Sequence, residues 1–200
     1  MTVHLYSYVV EHDHGWAPNS QGKYCSLVYC KFSKSGTKKN LVETIQEGDW
    51  ILGTGGSGPH SSGHRSIIYL MRVDEKMPFQ RYLTEPRFEG RLDRTNLRLG
   101  NQFALISSLF YYFGSNAVPM ADLPPPLSTA PLEKRGSAYR RDLPPSQVKQ
   151  LIMWFKKTYT PGIHGVPCSS LPEWSPTVSP SRIDLQRIGR CHVSTSCSEA

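Results

Sequence analysis

The run RSIIYLMRV, residues 65–73, is apolar almost without a break and has the length of a strand. A strand with so little polar face reads as the centre of a sheet rather than its edge. Its neighbours are short and of the same kind. Residues 3–10 read as a first strand and YCSLVYCKF (24–32) as a second, each rich in β-branched and aromatic residues. DWIL reads as a strand running into a glycine loop, and FALISSLFYYFG (103–114) as another strand ending at Gly114, a short buried helix fitting nearly as well. Between these, Leu41, Val42 and Ile45 mark one side of a helical turn, and Pro78 and Pro86 bracket one or two turns more.

The clearest helix comes late. Ser146 reads as its N-cap, and Val148, Leu151, Ile152, Phe155 and Tyr159 form one apolar face. Lys156 and Lys157 complement its C-terminal dipole, and TPG ends it. Several strands before one late helix predict an α+β class, not alternating βαβ units. The economical arrangement is a small, twisted, mostly antiparallel sheet or partial barrel with flanking helices. Seven prolines in 119–145 predict an irregular excursion. The expected domain is 1–167, followed by a disordered Ser- and Pro-rich tail over 168–200.

Composition narrows the function classes. No stretch has the length and hydropathy of a membrane-crossing helix, and the start MTVHLYSYVV is unlike a secretion signal, so a soluble, cytoplasmic protein with no membrane partner is expected. Five cysteines, odd in number and widely spaced, read as free thiols. The net charge of +7 lies before residue 168, since Arg182, Arg187 and Arg190 are matched by Glu173, Asp184 and Glu199. Lys31, Lys34, Lys38 and Lys39 cluster without an acid, and a basic domain favours polyanions such as nucleic acid or nucleotides.

Motifs for chemistry are few. Gly53, Gly55 and Gly58 satisfy G-x-G-x-x-G, yet Pro59, His60 and a strand follow where a dinucleotide site needs a helix N-terminus. What survives is a glycine loop whose amides approach an anion or a base. Metal donors occur at His12, Asp13, His14, His60, His64, Cys25 and Cys30, but without a second closely spaced pair. Strand alternation would also send His12 and His14 to opposite faces, so neither a metal nor another cofactor is expected. No nucleophile sits in a recognisable context, which leaves Asp13, His12 and His14 as the candidates for acid–base work.

The stretch HDHGWAPN (12–19) combines Asp13 and Asn19, able to pair with a base edge, with Trp16, able to stack one, around a turn at Gly15. Read in order, HDHGWAPN, YCSLVYCKF, EGDWILGTGG, IIYLMRVDEKMPFQRYLTEPRF, LISSLFYYFG and YTPGIHGVP make the chain, over about 3–167, resemble the second nucleotide-modification-associated domain family. Ser20, Gln21 and the segment CKFSKSG depart from that pattern. The resemblance implies a bacterial or phage setting beside genes for DNA base modification, with DNA or a modified nucleotide, and other DNA-modification enzymes, as partners. GDWI followed by YLMRV is also similar to EVE and PUA-like barrels, which hold a base in an aromatic pocket.

The expected site is therefore a ligand loop facing the glycine loop. Asp13, Gly15, Trp16, Asn19, Trp50, Gly53, Thr54, Gly55, Gly56, Tyr112 and His164 line it, and Lys31, Lys38, Lys39 and Arg65 hold phosphate. Three functions compete: a base-binding module, an enzyme acting on a nucleotide or modified base, and a non-catalytic subunit of a modification or defence system.

Overall fold

In the computed structural model the described residues are 3–28, 40–91, 93, 103–133 and 139–169. They fall in one compact unit, Met1–Ser169. Residues 170–200, nearly all of the expected tail, and residues 29–39, which hold Cys30 and the lysine cluster, lie outside them.

Among the described residues, nine strands form two sheets. The larger has the order β1 (Leu5–His12), β3 (Trp50–His60), β4 (Ser66–Arg72), β7 (Phe110–Tyr112), β9 (Gly162–Ile163), with β8 (Val118–Pro119) also paired to β4. The smaller has the order β2 (Cys25–Leu27), β6 (Phe103–Ser107), β5 (Glu75–Pro78). RSIIYLMRV is indeed central: β4 has a partner strand on each side. The larger sheet is mixed, because β1 pairs β3 in parallel and β7 pairs β9 in parallel. Neither sheet closes on itself, so the α+β class holds while a barrel does not form among the described residues.

Alternation along the strands builds the layers. Leu5, Trp50, Leu52, Tyr111 and Phe113 face the helix α3 (Pro145–Thr158), whose Val148, Leu151 and Phe155 are buried against them. Tyr6, Tyr8, Val10, Ile51 and Tyr112 face Cys25, Leu27 and Leu105 of the smaller sheet. That sheet's outer side, with Ala104 and Ile106, packs on Phe79 and Tyr82 of α2 (Phe79–Thr84) and on Phe88. Order across the core is thus helix, sheet, sheet, helix.

Three local expectations change. FALISSLFYYFG is neither one strand nor a helix: Ser108 and Leu109 turn the chain from β6 in one sheet to β7 in the other. Asp74, at the other crossing between sheets, pins that corner by accepting from Ser108 N and Oγ, both at 2.7 Å, and from Arg72 Nε at 2.6 Å. Burial alone would raise the Asp74 carboxyl, but these donors outweigh it and hold its pKa low. The long helix begins at Pro145 after a Pro144 cap, with Ser146 already inside it. Proline at the first helical position lacks only an N–H that has no acceptor there, so no side-chain cap is required. The short helix α1 (Leu41–Thr44) is closed by a capping box, Asn40 Oδ1 accepting from Glu43 N and Glu43 Oε2 from Asn40 N.

The largest correction concerns the glycine stretch. Gly53, Thr54, Gly55 and Gly56 are not a loop but the buried middle of β3. A Cβ on Gly53 would stand 2.1 Å from Tyr69 Cε1, one on Gly55 1.9 Å from Gly63 O, and one on Gly56 2.7 Å from Val9 Cγ1. These glycines let neighbouring chain approach β3 closely. Gly55→Ala should therefore lower the urea-unfolding free energy by about 1–3 kcal/mol through overpacking; a change within measurement error would contradict this account.

Candidate functional site

Strand directions decide where chemistry gathers. β4 runs antiparallel to β3, to β7 and to β8. With the two parallel pairs, β1, β3, β7, β8 and β9 all point one way, and β4 alone returns. Their carboxyl ends share one edge of the sheet, the edge at which open sheets with parallel strands usually bind ligands.

At that edge β1 delivers His12 and β3 delivers His60, paired after a bulge beyond Val10. The strand stops at His12, so the alternation that would have separated His12 from His14 no longer applies. Their rings lie parallel with centroids 5.8 Å apart, and His60 sits 5.9 Å from His12 and 5.5 Å from His14. His12 and His60 are exposed and His14 is half-buried. Burial lowers the His14 pKa, and the neighbouring His12 and His60 lower it further, so a neutral ring is favoured. Among the described residues no three donors are placed to hold a metal ion.

Beneath the imidazoles lies Asp13, 1% exposed. The Tyr112 hydroxyl at the end of β7 lies 2.8 and 2.9 Å from its two oxygens, and Gly15 N approaches Oδ1 at 3.4 Å. The Cys168 thiol approaches Oδ2 at 3.6 Å, and Ser62 Oγ stands 3.0 Å from its sulfur. Ser169 Oγ completes the group at 2.6 Å from His14 Nδ1, while its N–H donates to Asp13 O. Burial raises the Asp13 carboxyl pKa, opposed by the Tyr112, Gly15 and Cys168 donors. The same burial raises the Cys168 thiol, which stays protonated and donates rather than attacks. A carboxyl of raised pKa, a neutral imidazole and two hydroxyls in contact can hold and pass a proton.

Other expected residues are placed elsewhere. Trp50 is buried in the core beside Leu5, and Thr54 Oγ1 donates to Tyr8 O. Gly56 N is taken by Ser61 Oγ, so it offers no free amide. Trp16 is half-buried and packs on the α2 side of the smaller sheet, with Tyr82 and Phe88. Asn19 is buried in a second polar group, its side chain accepting from Gln21 N and Arg91 Nη2. Tyr112 spends its hydroxyl on Asp13 and has no exposed face. His164 lies flat on Phe113, centroids 4.9 Å apart, with Nε2 2.8 Å from Thr160 O. Gly15, at φ +70°, turns the chain beneath Pro167. Arg65 is exposed at the end of the β3–β4 turn, and Lys31, Lys38 and Lys39 lie outside the described residues.

Ser62, Cys168 and Ser169 were not expected at the site. Their arrival depends on Gly114 and Gly165, where a Cβ would stand 2.0 Å from Val166 O and 1.9 Å from Phe113 O. The backbone of 113–116 therefore presses against 164–167, Ser115 N donating to Val166 O at 2.8 Å. A pair of glycines in FYYFG and GIHGV was the available signal.

The chain resembles a known family over its first half. Residues 2–99 match the family model of nucleotide modification associated domain 2. The match takes in His12, Asp13, His14, His60 and Ser62, while Tyr112, Cys168 and Ser169 lie beyond it. No curated protein and no solved structure matches. The name of the matched domain points to nucleotide-modification systems. Among the described residues no helix is long and apolar enough to cross a membrane.

Tyr112→Phe tests the buried carboxyl. Because Asp13 has a raised pKa in the folded state, it takes stability away as pH rises from the ordinary value near ~3.9 through the raised one. Removing the hydroxyl leaves the carboxylate poorer in donors and raises that pKa further. The substitution should cost about 1–3 kcal/mol at pH 8 and measurably less at pH 4, read by urea unfolding. Equal costs at the two pH values would refute this coupling.

Proposed function

We propose that the protein is a nucleotide-binding module of a base-modification system, which takes a nucleotide, free or within DNA, at the carboxyl edge of its larger sheet. The observation that carries this reading is the meeting of His12, His14 and His60 over the buried Asp13 at that edge. The name of the matched domain supports a nucleotide as the ligand, and the net charge of +7 suits a polyanionic ligand. A neutral imidazole, the form favoured at His14, both donates and accepts, which fits the mixed edge of a base, and imidazole faces stack on it. Recognition on this reading rests on imidazoles, since Trp16 packs on the smaller sheet.

A second reading, an enzyme acting on a nucleotide or modified base, is favoured by one observation: Asp13 combines near-complete burial with a raised pKa beside His14, Ser62 and Cys168. In that role Asp13 or His14 would give or take the proton at the reacting base.

Fluorescence anisotropy against plain and modified nucleotides and oligonucleotides tests the binding reading. His60→Ala and His12→Ala remove exposed rings, so the fold should survive. Each should weaken binding about threefold to tenfold, the worth of one net hydrogen bond. Wild-type affinity in both variants, or no binding by the wild type at low ionic strength, would overturn it. A change in ligand mass on incubation, abolished by Asp13→Asn, would put the enzyme reading first.

A further inference from the structure

We propose that a second recess, distinct from the histidine edge, seats a phosphate group: an open cleft of about 750 Å3 whose cations are Arg65, Arg140 and Arg141. The inference rests on the nucleotide reading for the identity of the ligand, but its chemistry is that of any phosphate.

The charge balance inside the cleft favours an anion. Asp142 is bound by Arg140 through both oxygens, at 2.7 and 2.9 Å. Glu133 Oε1 lies 2.6 Å from His64 Nδ1 and accepts from Arg65 N at 3.3 Å. The two remaining guanidinium groups use neutral partners. Arg65 donates from Nη2 to Ser128 O at 2.7 Å, and Arg141 is hydrogen-bonded to the Tyr6 hydroxyl. Each guanidinium carries five N–H donors in a planar fork, so such bonds leave donors for a phosphate oxygen while fixing the fork in place. Tyr139, packed at 5.7 Å on Tyr6, adds an aromatic wall to the same cleft.

Backbone geometry at Arg65 points the same way. It is the one non-glycine residue with positive φ among the described residues, at +57°. A glycine would hold that conformation without strain, and strain retained at a charged residue marks a position kept for its side chain.

Placement connects the cleft to the histidines. His60 and Arg65 are the two ends of one turn, β3 to β4, and five Cα steps span at most ~18 Å. A ligand with its base at the histidines and a phosphate at the arginines is then no longer than a short oligonucleotide. Arg65 was expected to hold phosphate together with Lys31, Lys38 and Lys39; the cleft sets Arg140 and Arg141 beside it.

The test uses the full chain, three probes and two variants. Tripolyphosphate reports phosphate alone, a nucleoside monophosphate the free nucleotide, and a single-stranded oligonucleotide the polymer. Arg65→Gly relieves the strained backbone and should keep or raise Tm, so weaker binding there is not unfolding; Arg141→Ala removes an exposed side chain. Each variant should weaken tripolyphosphate and oligonucleotide binding about threefold to tenfold. Each should also lower the slope of log K against log salt for the oligonucleotide by about one unit. If monophosphate binding also falls, the free nucleotide reaches the cleft; if only oligonucleotide and tripolyphosphate fall, the phosphate belongs to a neighbouring nucleotide of a polymer. Wild-type affinity and slope in both variants would overturn the cleft while leaving a His60-dependent nucleotide site intact. Tripolyphosphate binding lost in the variants, with no nucleotide bound by the wild type, would retain the cleft and defeat the nucleotide reading. Absence of all binding by the wild type defeats both.

Discussion

Two strands that lie side by side and point the same way force the chain between them to travel the length of the sheet and return. β1 and β3 are such a pair, and the connection between them carries β2 into the second sheet and α1 across the core. Everything at the candidate site follows from that return. Because both strands finish at one edge, HDHG leaves β1 beside the point where PHSS leaves β3, and His12 faces His60. Had the two strands paired antiparallel, the two histidine segments would sit at opposite ends of the sheet.

The second constraint is the buried carboxyl. Asp13 closes the edge by joining three distant parts of the chain, since Tyr112 comes from β7 and Cys168 follows β9. A carboxylate taken from water is costly unless donors replace the water. Here Tyr112, Gly15 and Cys168 do so only partly, and the pKa remains raised. That residual imbalance separates Asp13 from Asp74, whose donors overcompensate for burial and which serves as a corner pin. Two aspartates, one with a guanidinium among its donors and one with neutral donors alone, thus divide into one that holds structure and one that remains available to a proton.

How much of this was legible in the sequence depends on the range of the interactions involved. RSIIYLMRV, the proline-bracketed α2 and the amphipathic face of α3 were readable because periodicity is local. His12, Asp13 and His14 were readable as polar residues at a strand end. The glycine stretch was not, because a missing Cβ serves a loop and a close packing equally well, and only Tyr69, Gly63 and Val9 decide between them. FALISSLFYYFG was misread for a related reason: each half is apolar, and only pairing to different sheets reveals Ser108 and Leu109 as a corner. Trp16 and Asn19 looked like ligand groups since both are polar-loop residues in sequence, yet one packs against the cluster that holds Tyr82 and Phe88 and the other bonds Arg91.

The separation of Trp16 from the glycine stretch changes what kind of recognition the protein can perform. A pocket floored by an indole would bind any flat base by its face and discriminate little. A rim of three imidazoles over a carboxyl of raised pKa instead presents donors and acceptors whose pattern depends on where protons reside. Such an edge responds to substituents that alter the hydrogen-bonding face of a base, which is what base modification changes. Charge then has a separate place, in the arginines at the far end of the β3–β4 turn. On the proposed reading, dividing the task this way would let backbone contacts position the ligand while the histidine edge reads it. The histidine edge and the arginine cleft meet in a single six-residue turn, His60 to Arg65, held at its middle by Ser62, which donates to Gly114 O, and by Gly63 against β3.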